Sequence, residues 1–295
     1  MPRQPVEFGP FVHTPSSSLP SVAPEENTML SEPTFRVIAF RGDQVIKALN
    51  GQSTQALTEI SDAFAPLGAF CDPKGRMIGS GRFVLLDDQL HFITPESQIE
   101  DLMTHLKPFL TLARAEAMIS PLDCRLIRSD SPRDPGTVTQ GADDVLVHEH
   151  GHTCWALRHH PMQEDTEAHR NRLNAGLGFV QAGSARQLIP QQAHYQMLGG
   201  VSFTKGCYTG QEVIARLEHL GQAKKTLRIY TGHQSLSAGD LYHIDGHDCL
   251  VFDAVTDTDM TTALVLCPEA LESEELLRVP FEITRQVAGE RPVKR

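Results

Sequence analysis

The 295-residue sequence is poor in cysteine and in positive charge, and it has no long apolar run. Six widely spaced cysteines with no CxxC pair and no secretion signal favour free thiols in a reducing cytoplasm over disulfides. No stretch approaches the roughly 20 apolar residues of a membrane-spanning helix. With 26 Lys and Arg against 37 Asp and Glu, the net charge is −11. Direct binding to nucleic acid or to a membrane surface is therefore not expected.

The order of the predicted elements indicates an α+β fold. Residues 1–33, which include PSSSLPSVAPEEN, are predicted to form a flexible tail. Residues 34–221 mix strands with helices, among them a helix-like run QVIKALNGQSTQALTEI, and are predicted to form a core of two subdomains. Short strands between polar turns in residues 222–295 predict a small C-terminal β-barrel.

Alternating histidines mark the segment VLVHEHGHTCWALRHH. His148, His150, His152 and Cys154 have the chemistry of zinc ligands, but their spacing does not match a compact zinc motif. The alternating pattern predicts a β-hairpin with its turn at residues 149–151, and that turn would keep the four side chains apart. We therefore predict a solvated hairpin and no metal site.

The segment KGCYTGQE, Lys205 to Glu212, carries the clearest chemical signal. Thr209 and Glu212 have the spacing of a capping box, and the apolar periodicity that follows predicts a helix ending at Gly221. Cys207 would then lie just before a helix N-terminus, where the unpaired N–H groups and the charge of Lys205 favour a thiolate. A second interpretation stays open: Cys207 is a small buried residue packed between glycines.

The region around this segment is locally basic. Residues 201–228 contain five cations against two acids, which is unusual in an acidic protein and would suit a ligand that carries a carboxylate. The cations are Lys205, Arg216, Lys224, Lys225 and Arg228, and the acids are Glu212 and Glu218.

A longer segment, IPQQAHYQMLGGVSFTKGCYTGQEVIARLEHLGQAKKTL, closely resembles the signature of the YgfZ family. These are folate-binding proteins related to the T protein, the aminomethyltransferase of the glycine cleavage system. GDQVIKALNGQST, FCDPKGRM and RLNAGLG resemble three further segments of the family. The resemblance covers nearly all of the chain after the predicted tail.

The resemblance implies a three-part, ring-shaped GcvT-like fold that binds tetrahydrofolate or a derivative in a central cavity. It also implies a helper of iron–sulfur protein assembly or repair, which affects tRNA methylthiolation through an iron–sulfur client enzyme and not through direct contact with nucleic acid. The residues that match the family's functional motif are Cys207, as the functional thiol, with Lys205, Gly206, Tyr208, Gly210, Gln211, Glu212 and Arg216. Those that match folate contacts are Phe35, Gln52, Ala168, Arg172, Asn174 and Tyr208.

The chain also departs from the family pattern. Asn174 stands where relatives usually carry a glutamate, and Phe35 and Ala168 stand where they often carry tryptophans against the folate. An alternative function is an active folate-dependent aminomethyltransferase, which would need a carboxylate near the pterin. T proteins carry an acidic pair after the turn glycines, whereas residues 76–80 of this chain contain no acid. We therefore expect no aminomethyltransferase activity.

Overall fold

The computed structural model describes residues 34–280, apart from positions 132, 142–143, 150–152, 164 and 222. The predicted tail, residues 1–33, lies outside the described residues. The described chain forms three antiparallel sheets and four α-helices, with short 3-10 turns at Leu57–Glu59, Glu96–Gln98 and Ala182–Ser184. In this part of the chain, no helix combines the length and the apolarity needed to cross a bilayer.

The first sheet has five strands and carries helices on one face. Its strands are β1 (Phe35–Arg41), β2 (Leu67–Cys71), β3 (Met77–Leu86), β4 (Gln89–Pro95) and β5 (Glu116–Ile119), in the spatial order β2-β3-β4-β1-β5. The helices are α1 (Val45–Asn50) and α2 (Ile99–Leu112). Leu102, Leu106 and Leu110 recur every four residues, so they form one buried face of α2 against this sheet.

The second sheet packs against the free face of the first. Its strands are β6 (Asp123–Arg128), β7 (Val138–Gln140), β8 (Asp144–His148) and β9 (Thr153–Arg158), in the order β6-β9-β8-β7. Helix α3 (Thr166–Asn174) follows. It begins at Asp165, whose carboxylate accepts a hydrogen bond from the Ala168 N–H, and it is followed by Gly176 with φ of 78°.

Helix α4 (Gln211–Leu220) leads to the C-terminal sheet. That sheet contains β10 (Lys225–Gly232), β11 (Leu241–Ile244), β12 (His247–Asp257), β13 (Met260–Pro268) and β14 (Leu276–Arg278), in the order β11-β12-β13-β10-β14. The sheet is apolar on both faces: Phe252 and Leu264 join the main core, whereas Val251 and Val265 join a second cluster with Leu236. A domain boundary between residues 221 and 222 stays a prediction.

Two local predictions need correction. The helix predicted over QVIKALNGQSTQALTEI ends at Asn50, because the buried side chains of Gln52, Thr54 and Gln55 contact residues about 150 positions away in the sequence. The hairpin between β8 and β9 is confirmed, since His148 pairs with Cys154 across it. However, these two residues are only 2% and 1% exposed, so this part of the hairpin is not solvated. His150 and His152 lie outside the described residues.

Candidate functional site

The loop that precedes α4 is attached to residues 51–55 by hydrogen bonds. The N–H of Thr209 donates to the carbonyl oxygen of Gly51 (3.1 Å), and its hydroxyl donates to the Gln52 side-chain oxygen (2.8 Å). The Thr54 hydroxyl donates to the Gly200 oxygen (2.7 Å), and its own carbonyl accepts from the Ser202 N–H (2.8 Å). Two segments about 150 residues apart in the sequence therefore form one structural unit.

Lys205 stabilises this unit through hydrogen bonds to backbone oxygens. Its Nζ lies 2.5 to 2.7 Å from the backbone oxygens of Asn50, Ser53 and Gln55, and 5.0 Å from the centre of the Tyr208 ring. Burial lowers the pKa of Lys205 to about 8. Three carbonyl acceptors nevertheless favour the ammonium form, since a neutral amine has only two N–H donors. The charge of Lys205 is thus used to hold residues 50–55 in place.

The capping box predicted at Thr209 and Glu212 is wrong. Helix α4 has Gly210 as its N-cap, without a side-chain capping bond, because the Thr209 hydroxyl is used by Gln52. Gly210 has φ of 84°, and a Cβ there would lie 2.7 Å from the backbone oxygen of Asp72. Glycine is therefore required where the Asp72 turn packs against the start of α4.

Gly206 has no such role. A Cβ added at Gly206 would meet no atom within 4 Å. Glu212, without its predicted capping bond, lies in the first turn of α4 and pairs with Arg216 at 2.8 Å on the exposed surface. Gln211 is the first residue of the helix, and its N–H donates to the Tyr208 oxygen (3.1 Å).

Cys207 is exposed, and the other five cysteines are buried. The interpretation of Cys207 as a packed core residue is therefore wrong. Burial raises the pKa of the Cys71 and Cys249 thiols, that of Cys154 to about 11 and that of Cys267 to about 12. Because the thiolate is the reactive form, these four groups are both inaccessible and weakly ionised at neutral pH. Cys124 is buried as well.

Tyr208 turns its ring into the core beside the exposed thiol. It is 6% exposed, and burial raises the pKa of its hydroxyl. Among the described residues, the Tyr208 hydroxyl has no hydrogen-bond partner. A buried hydroxyl without a partner costs about 1–3 kcal/mol of folding free energy.

The predicted basic region does not form a cluster of free cations. Lys205 binds backbone oxygens, Arg216 pairs with Glu212, and Arg228 is 4% exposed and donates to the Glu269 oxygen at 3.0 Å. Lys224 and Lys225 are exposed at the start of the C-terminal sheet. Of the five cations in the predicted basic region, Lys224 and Lys225 are the two that are exposed and form no ion pair with another described residue.

The predicted folate contacts fall into different environments. Phe35 and Ala168 are 1% and 0% exposed, so neither lines a space that water can enter. Arg172 is equally buried beside them, with its guanidinium 5.6 Å from the Phe35 ring centre and 5.2 Å from that of Phe179. These three residues belong to a sealed core, and the structure gives no support for their contact with a folate.

Arg172 has a clear structural partner that sequence reasoning missed. Its Nη1 donates to the Asp253 carboxylate at 2.6 Å, and the side chains of both residues are 0% exposed. Asp253 also accepts from the Phe179 N–H (2.9 Å) and from the Gln181 side chain (3.3 Å). No local signal marks Asp253, because it lies in β12, 81 residues from Arg172.

The remaining predicted contacts lie nearer to solvent. Asn174 is exposed at the end of α3. Gln52 is 8% exposed and touches Thr209 of the KGCYTGQE segment. Gln52 and Tyr208 are therefore the predicted folate contacts that the structure places at the same unit as Cys207.

Comparisons with known proteins identify relatives of the chain. No family model matches. Proteins named tRNA-modifying protein YgfZ are 28% identical, both in Yersinia pseudotuberculosis serotype O:1b (strain IP 31758), over 76% of this chain and 77% of that protein, and in Colwellia psychrerythraea (strain 34H), over 72% and 75%. The solved structure of glycine cleavage system aminomethyltransferase T from Bartonella henselae has a TM-score of 0.58 at 10% identity, with 85% of each chain covered.

These findings agree with the segments from which the resemblance was inferred. The identity to the curated relatives extends far beyond the signature segment, and the structural likeness shows the fold. The expected α+β fold and the resemblance to the T protein are confirmed. The chain is a relative of the YgfZ proteins, built on the fold of the glycine cleavage T protein.

Proposed function

We propose that this protein is a folate-binding accessory factor for the assembly or repair of iron–sulfur proteins, with an indirect effect on tRNA methylthiolation. The name of its relatives, tRNA-modifying protein, supports a link to tRNA modification. The charge of −11 argues for an effect through a client enzyme, since most of the surface would repel a phosphate backbone.

One observation carries the proposal: Cys207 is the exposed cysteine of a chain whose other five cysteines are buried. It lies in a loop that is held by Lys205 and Thr209 to residues 50–55. A thiol on a fixed loop can meet a partner protein or an electrophile in one orientation, which a thiol on a flexible loop cannot do. Cys207 is therefore the functional thiol of the proposal.

Tetrahydrofolate or a derivative is the cofactor of the proposal. We place the folate of the proposal at the KGCYTGQE unit, where Gln52 offers a side-chain amide and the buried Tyr208 hydroxyl lacks a partner among the described residues. When bound, a reduced folate supplies a one-carbon unit or its acceptor. Phe35, Ala168 and Arg172 do not fit a folate in this structure, because they are sealed in the core.

The role of Cys207 is tested by complementation in a strain that lacks its own YgfZ-type protein. We expect the wild-type chain to restore the methylthiolated nucleosides of tRNA and the Cys207→Ser variant to fail at equal protein level. The Gly206→Ala variant is the matched control, because its new Cβ has open space and the thiol is kept. Full complementation by Cys207→Ser would remove the thiol from the proposal.

Folate binding is tested separately by calorimetric titration with tetrahydrofolate that carries a glutamate tail. We expect binding, together with a higher melting temperature, because a ligand selective for the folded state stabilises it by mass action. The Tyr208→Phe variant removes only the hydroxyl and should bind more weakly. A Kd of about 1 mM corresponds to a binding free energy of only about −4 kcal/mol. Absence of any heat signal at about 1 mM folate would therefore exclude a useful folate site.

The aminomethyltransferase alternative has no support beyond the fold. Residues 76–80 provide no carboxylate for proton transfer. A side chain at Gly79 would point at Leu102 of α2, which lies 3.2 Å from the position of an added Cβ, so an aspartate there would enter an apolar core. We expect no turnover in a glycine cleavage assay, either for the wild-type chain or for Gly79→Asp.

A further inference from the structure

An open cleft lies between the first two sheets, away from the KGCYTGQE unit. Its volume is about 640 Å³, which falls in the range of pockets that hold small organic ligands. None of the residues discussed above as thiol support or folate contact lines it. The cleft therefore requires its own explanation.

The cleft has a mixed polar and apolar lining, and its apolar side chains come from both sheets. Leu86 and Met118 lie on the side of the first sheet, Leu157 on the side of the second, and Leu122 on the connection between them. Apolar side chains on both sides of a cleft suit a flat ring, which buries both of its faces at once.

His91 provides a hydrogen-bond acceptor inside the cleft. It is 6% exposed and lies on β4 between β1 and β3, with its Nδ1 3.0 Å from the Gln89 oxygen. Burial lowers the pKa of His91, so the ring is neutral at pH 7. With the proton on Nδ1, Nε2 is left as an acceptor for an N–H of a ligand.

Charged groups complete the cleft. Arg41 and Asp87 line it, and within the described chain neither of them forms an ion pair. Arg158, by contrast, pairs with Asp144 at 2.8 Å. His159 and His160 are exposed beside this pair. An anionic group would find Arg41 available, and an amino group would find the Asp87 carboxylate.

We propose that this cleft binds an amino-substituted heteroaromatic ring with an anionic tail. The ring lies between the apolar side chains of the two sheets, its N–H groups donate to His91 and Asp87, and the tail binds Arg41. A purine nucleotide and a pterin both have this chemistry. The proposal goes beyond the proposed function, because it concerns a site that does not contain Cys207.

The test is calorimetric titration of the full chain with two probes, AMP and 5-formyltetrahydrofolate. Arg41→Gln and Asp87→Asn change exposed side chains, and asparagine tolerates the φ of 47° at position 87. Each should weaken binding by about tenfold, because each removes one charge-assisted hydrogen bond. Arg278→Gln, in the C-terminal sheet, is the matched control and should leave binding unchanged.

The two probes separate the possible sources of the ligand. Weakening of AMP binding by both cleft variants supports the proposal with a purine ligand, and the same result for 5-formyltetrahydrofolate supports it with a pterin. The proposal is overturned if neither probe binds at about 5 mM, where even a very weak site is filled. It is also overturned if the cleft variants and Arg278→Gln bind equally well. Folate binding that responds only to Tyr208→Phe belongs to the KGCYTGQE unit and counts against the cleft.

Discussion

Two regions of this protein use buried charge in opposite ways. Under the C-terminal sheet, Arg172 and Asp253 form an ion pair that is closed to solvent on all sides. At the KGCYTGQE unit, Lys205 is half-buried, and Cys207, two residues further along the chain, is exposed. The first arrangement joins parts of the chain, and the second holds an exposed thiol at the surface. The buried ion pair thus joins segments of the chain in one region, whereas Lys205 holds the loop that carries Cys207 in the other.

The largest effect on stability is expected from removal of the buried Arg172–Asp253 ion pair. Arg172→Ala leaves the Asp253 carboxylate buried without its ionic partner, so we expect a loss of about 3–5 kcal/mol in the free energy of unfolding. Arg170→Ala is the matched control on the same helix, because its pairs with Glu167 and Asp257 are partly exposed and should contribute less than about 1 kcal/mol. Urea unfolding measures both changes. Equal losses would contradict the difference between the regions.

The next effect depends on pH and concerns His194, which contacts the Thr226 hydroxyl (2.7 Å) under the C-terminal sheet. Burial, with a contribution from Arg228, lowers the pKa of His194 from 6.5 to about 4. Between these values the unfolded chain binds more protons than the folded chain, so stability decreases as the pH falls. We expect His194 to account for about 2 kcal/mol of stability lost between pH 7 and pH 5.

Urea unfolding of the His194→Asn variant at pH 7 and pH 5 measures this contribution. Asparagine tolerates the φ of 59° at this position and cannot take up the proton. The difference in stability between the two pH values should therefore be smaller for the variant than for the wild-type chain. An unchanged difference would show that other groups cause the pH dependence.

A pair of glycine variants sharpens the comparison within the KGCYTGQE unit. Gly210→Ala places a Cβ 2.7 Å from the Asp72 oxygen at a positive φ, so we expect a loss of about 2 kcal/mol in the free energy of unfolding. Gly206→Ala meets no atom and should stay within about 0.5 kcal/mol of the wild-type chain. Thermal unfolding of the two variants side by side measures the difference, and a destabilised Gly206→Ala would refute the open space assigned to that position.

The smallest expected effect is that of Glu212→Ala. Glu212 makes no capping bond. The variant loses only a negative charge in the first turn of α4 and an exposed ion pair with Arg216. We expect a change of a few tenths of a kcal/mol, about 0.5 at most. A loss above 1 kcal/mol in urea unfolding would indicate a capping bond after all.

The elements that are fixed by local patterns were predictable from the sequence. The β8–β9 hairpin and the end of α3 near Gly176 follow from alternation and from a glycine stop signal. The signature segment also led to the correct relatives. These features depend on residues that are close together in the sequence.

The errors concern residues whose partners are distant in the sequence. Thr209 has the spacing of a helix cap, but Gln52 takes its hydroxyl from 157 residues away. The family resemblance predicts that Arg172 contacts a ligand, whereas its partner in the structure is Asp253. A polar side chain reveals its type in the sequence but not which of several partners it reaches. The sequence therefore indicates KGCYTGQE as a candidate site without indicating how the segment is held.

The most direct test of the account is the rate at which each cysteine of the native protein reacts with iodoacetamide at pH 7, measured by mass spectrometry of peptides. We predict that Cys207 is alkylated well before Cys71, Cys124, Cys154, Cys249 and Cys267, because it alone is exposed while burial hides the others. In urea all six should react. If any buried cysteine reacts as fast as Cys207 in the folded protein, the claim that the loop presents a single functional thiol is contradicted.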